Sequence, residues 1–65
     1  MDEIDVWRAA NEMMKLFGDD AATRAAMRAD AMLDEGDVDG FHAWTRIARA
    51  IDDLRRTPSD SEPRN

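Results

Sequence analysis

The chain has no cysteine among its 65 residues. That excludes a disulfide staple, a thiolate metal site and a cysteine nucleophile. There is one histidine, His42. Its nearest candidate partners on the same helix face are Arg46 and Asp39, and the serines fall only in the last residues. No nucleophile, base and ligand set converges, so the reading expects no enzyme, no cofactor and no metal. His42 reads as a solvated surface residue. No long apolar run is present, and the first residues are acidic. Neither a secretory signal nor a membrane span is expected, and the cytoplasm is the expected compartment. Both prolines lie beyond Thr57.

What is present is acidic and periodic. The chain is 43% hydrophobic and 37% charged, with net charge -6. That apolar share is too high, and too regularly spaced, for a disordered chain. The acidic balance argues against nucleic acid as a direct partner, because phosphate binding needs clustered Lys and Arg. It suits solubility, or a basic protein surface.

Two Gly-Asp steps, Gly18-Asp19 and Gly36-Asp37, divide the chain into three amphipathic segments. The first spans about Asp2 to Phe17, with Asp2 as N-cap and Gly18 as the left-handed C′ residue. Its apolar face is Val6, Trp7, Ala10, Met13, Met14 and Phe17. Asp19 or Asp20 caps the second segment, which reaches about Glu35. Its inward face is Ala21, Ala22, Ala25, Ala26, Ala29, Met32 and Leu33, small enough to let neighbours approach closely. Gly36 and Asp37 repeat the stop and start. The third segment covers about Val38 to Arg56, with Phe41, Ala43, Trp44, Ile47, Ala48, Ile51 and Leu54 inward. Arg49 with Asp53, and Asp52 with Arg56, are spaced to pair weakly. The expected fold is an all-α, three-helix up-down-up bundle with very short Gly-Asp turns. Its domain is residues 1–57, and residues 58–65 are expected to be a disordered tail.

Glu35, Asp37, Asp39 and Gly40 imitate the start of a calcium loop. The position that needs a bidentate Glu holds Arg46, so a helix stop followed by an N-cap explains these residues better. Arg46, Arg49 and Arg56 form a basic stripe, interrupted by Asp39, Asp52 and Asp53. The segments carry about -2, -4 and +1 in chain order. A helix-turn-helix DNA binder is therefore only a third reading.

Trp7, Phe41 and Trp44 are the candidate interaction surface. Core packing accounts for such residues in most proteins. Yet two Trp, two Phe and five Met are a large load for three short helices, and such side chains anchor partners. A small chain without staples also relies on good packing, oligomerisation or a partner. The leading expectation is an acidic protein-protein interaction module with an unidentified protein partner, with a homodimer as one form. The alternative is an acidic regulator or phage-type inhibitor of a basic nucleic-acid-handling protein.

The string Trp7, Ala10-Asn11, Phe17-Gly18-Asp19-Asp20-Ala21, Arg28-Ala29-Asp30, Leu33, Gly36-Asp37, Trp44 and Ile47 covers nearly all of the chain before residue 58. It resembles a group of short alphaproteobacterial all-helical proteins of unknown function. Those read broadly as W-x-x-A-N, H-G-D-D-A, R-A-D-x-L-L-x-x-G-D and W-x-x-I. Phe17 stands where that group commonly has a histidine, so any role of that histidine is absent here. The resemblance implies a bacterial helical domain and carries no activity.

Overall fold

A computed structural model describes residues 2–60, with side chains described through residue 56. The described chain is all-helical. Helix α1 is Glu3–Phe17, a 3-10 turn covers Gly18–Asp20, α2 is Ala21–Asp34 and α3 is Val38–Asp60. No helix is long and apolar enough to cross a membrane among the described residues.

The α2–α3 turn is held by a closed set of local hydrogen bonds. Gly36 has φ +80°. Its N–H donates to the Leu33 carbonyl at 3.0 Å, and the Asp37 N–H to the Met32 carbonyl at 2.8 Å. These two bonds are the Schellman pair, which needs a left-handed residue at C′. Asp37 then starts the next helix. Its Oδ1 accepts the Gly40 N–H at 2.8 Å, while its carbonyl accepts the Phe41 N–H at 3.0 Å. One aspartate thus closes α2 and opens α3.

The first Gly-Asp step works differently. Gly18 ends α1 with φ 53° and ψ -124°. Asp20 lies in the helical region and makes no side-chain cap bond. The expected aspartate cap is replaced by a 3-10 turn that feeds α2 directly, with the Ala21 N–H donating to the Gly18 carbonyl. Asp2 takes the extended N-cap conformation without a side-chain bond, and its carbonyl accepts from the Val6 N–H.

The core is thin. Val6, Ala10, Ala21, Ala25, Ile47, Ala50 and Ile51 are buried in one cluster, and among the described residues only Ile47 and Ile51 are large side chains buried completely. Alanine lets the helices approach closely, and α2 packs most extensively on α3, with α1 on α3 next. Arg28 over Trp44 and Arg55 beside Asp19 mark α2 and α3 as antiparallel. Glu3, Val6 and Trp7 of α1 stand against Arg46, Arg49, Ala50 and Asp53. The N-terminal part of α1 therefore lies beside the middle of α3. The radius of gyration is 12.8 Å, against about 10.7 Å for a compact chain of this length. The molecule is elongated, at 47 × 22 × 16 Å.

Several expectations change. Leu33 and Ala26 were expected inward but are exposed. Each i+4 step turns a position by about 40° around the helix. The row Ala21, Ala25, Ala29 has therefore rotated off the buried face by Leu33, and Met32 takes its place as the half-buried residue. Ala50, which the expected apolar face did not include, is buried, because α3 contacts both other helices and so buries a wider arc. Arg56 pairs with Asp53 at 3.0 Å rather than with Asp52. Helix α3 also continues to Asp60, past the expected end at Arg56. Backbone bonding can extend a helix without an apolar face. Of the expected disordered tail, residues 58–60 are helical and residues 61–65 lie outside the described residues.

Candidate interaction surface

The three aromatic residues singled out by the sequence take separate settings. Trp7 is half-buried, packs on the core and borders a shallow groove with Glu3, Arg46, Arg49 and Asp53. Trp44 is also half-buried on the core, and the Arg28 guanidinium lies 5.3 Å from its ring centre. Phe41 is half-buried with its ring 5.3 Å from that of exposed His42. No ring contact joins Trp7, Phe41 and Trp44 among the described residues. The basic stripe is likewise divided. Arg46 and Arg49 share their groove with Glu3 and Asp53, and Arg56 is engaged by Asp53.

A different apolar surface forms where α1 meets α2. Met13, Phe17, Arg24, Met27 and Arg28 line an open groove of about 270 Å³. Arg24 sits 4.6 Å over the Phe17 ring, a cation-π contact that holds its charge at the rim. Leu16 is 66% exposed and Met27 61% exposed. The periodic pattern points Arg24 and Arg28 away from the core and gives Met27 no face, so the groove is not foreseen from the sequence. The available signal was Phe17 on one helix and arginines four residues apart on the next, because arginine covers aromatic faces.

The rest of the surface has little built chemistry. No buried residue is polar or charged among the described residues. Asp34, Glu35, Asp37 and Asp39 surround the α2–α3 turn and are all exposed. They and the other described carboxylates form no grouping able to hold a metal ion, and Asp37 is occupied by the Gly40 N–H.

No protein-family model matches this chain, and no curated protein and no solved structure matches it.

Proposed function

We propose that the chain is a small acidic protein-interaction module that acts through apolar surface rather than through catalysis. One observation carries this reading. Ile4, Leu16, Met27, Leu33 and Val38 are each at least half exposed, a large apolar exposure for 65 residues. Exposed apolar clusters with a charged rim mark contact sites. The Met13–Phe17–Met27 groove is the most developed of them, and Trp44 adjoins it through Arg28. The same proposal takes the chain path as an up-down-up three-helix bundle with α1 set across α3, working in the cytoplasm and without nucleic acid.

An anionic aromatic dye such as anilinonaphthalene sulfonate tests the surface, since it needs apolar contact and tolerates arginine. The folded chain should enhance its fluorescence, and Met27→Glu should abolish the effect while helicity is retained. A folded wild type that leaves the dye dark removes the basis of the reading.

A second reading, an acidic regulator of a basic nucleic-acid-handling protein, is favoured by the exposed carboxylates at the α2–α3 turn. Salt separates the two. An electrostatic contact weakens steeply as ionic strength rises, whereas an apolar contact does not.

A further inference from the structure

We infer that the groove at the α1–α2 junction is covered by a second copy of this chain, through antiparallel packing of α1 on α1. The inference rests on the apolar-contact reading above and names its partner. Helical phase puts Asp5, Ala9, Met13 and Leu16 on one flank of α1, the flank beside the groove that Met13 helps to line, and Asp2 is the extended N-cap residue at its start. This flank is polarised. Its N-terminal end carries Asp2 and Asp5, both exposed and in no ion pair among the described residues. Its C-terminal end is apolar, with Leu16 and Met13, and Arg24 rises beside it over Phe17.

A surface acidic at one end and apolar-basic at the other complements itself when reversed. A two-fold axis needs such self-complementarity. With Ala9 crossing Ala9, where a small side chain allows close approach, Asp5 falls opposite Met13 and Asp2 opposite Leu16. The carboxylates of each copy then face Arg24 of the other, and Leu16 and Met27 lose their exposure. The net charge of -6 opposes association overall, so the attraction is local. The short contact places the dimer in the weak, concentration-dependent class.

Charge exchange tests this in the full chain. Asp5 and Phe17 are separated by roughly 18 Å along α1, so Asp5 and Arg24 of one copy do not repair each other. In sedimentation equilibrium at physiological salt, the wild type should show a reversible monomer–dimer equilibrium. Asp5→Arg and Arg24→Glu should each weaken it about tenfold or more. An equimolar mixture of the two should dimerise again, because both cross-copy pairs are then of opposite sign. If either variant unfolds by circular dichroism, position 16 replaces it, since Leu16 is largely outside the core. Leu16→Glu, opposite Asp2, should dissociate the dimer, and Leu16→Arg should preserve it. A wild type that stays monomeric to about 1 mM, a mixture without recovery, or equal effects of Leu16→Glu and Leu16→Arg overturns the inference. If a monomer still binds the dye in the groove, only self-association fails. If a monomer leaves the dye dark, the underlying reading fails too.

Discussion

Gly40 sits in the first turn of α3, where glycine is ordinarily a weakness. Replacing glycine by alanine inside a helix gains about 1 kcal/mol on propensity alone. Here the gain meets the cap. A β-carbon at Gly40 would lie 2.7 Å from Asp37 Oδ2, 2.9 Å from Asp37 Cγ and 2.9 Å from Met32 Sδ. The Met32 thioether is flexible and can yield. The Asp37 carboxylate cannot yield without releasing the Gly40 N–H that it accepts at 2.8 Å. Losing an N-cap costs about 1 kcal/mol. Displacing Met32, which is half-buried, adds a packing loss of roughly 0.5 to 1 kcal/mol. Gly40→Ala should therefore destabilise the chain by about 0.5 to 1 kcal/mol.

The cause becomes visible in a double-mutant cycle. Asp37→Ala alone should cost about 1 kcal/mol. Once the carboxylate is gone, Gly40→Ala meets only Met32, and its effect should fall between zero and a gain of about 0.5 kcal/mol. The coupling between the two sites is then about 1 kcal/mol, well above the additivity error for independent sites. Urea and thermal unfolding followed by circular dichroism at 222 nm measure each corner. In a chain this small, 1 kcal/mol corresponds to about 4–8 °C in Tm. The reasoning is refuted if Gly40→Ala stabilises the wild type by the full propensity gain, or if the two effects add.

Three further outcomes follow from the same geometry. Gly18→Ala should cost more than Gly36→Ala in chemical unfolding, because φ 53° with ψ -124° lies outside the left-handed well that other residues can enter, whereas a Schellman C′ position sits in it. Gly36→Asn should recover part of the Gly36→Ala loss, and Gly18→Asn should recover little. Ile51→Ala should cost about 2 to 5 kcal/mol, enough in so thin a core to leave the chain largely unfolded at 25 °C by circular dichroism. Finally, Arg28→Ala in a Trp7→Phe background should shift the emission of Trp44 to longer wavelength as the guanidinium cover 5.3 Å from its ring is removed, with a stability loss of about 0.5 to 1 kcal/mol.

The parts of this fold that can be read from sequence are those controlled by local chemistry. Gly36 followed by Asp37 can be read because a left-handed C′ residue and an N-cap carboxylate each act within four residues. The helical segments can be read because Val6, Ala10, Ala21, Ala25, Ile47 and Ile51 keep step with the helix. Asp20 could not be read as part of a 3-10 turn, because the same Gly-Asp letters serve both junctions and the letters do not show which backbone conformation the glycine takes. Leu33 was misplaced because a fixed i+4 row drifts around the helix, and nothing local shows where the neighbour's contact ends.

The groove is a harder case, and physically a different one. A wheel sorts residues by polarity, so Arg24 and Arg28 count as solvent-facing and Met27 beside them as incidental. Their stems and guanidinium planes instead lie over Phe17 and Trp44, covering aromatic faces while the charge stays in water. The rings thereby rest with one side on the core and the other under arginine, while Met27 in the groove and Leu16 on α1 stay largely exposed. In a core built mainly of alanine, aromatic rings have too little depth to enter completely. Arginine cover and exposure at a partner surface are the two ways left to accommodate them. That is why part of the apolar excess visible in the composition emerges at the α1–α2 junction, between two arginines, rather than at Trp7, Phe41 or Trp44 themselves.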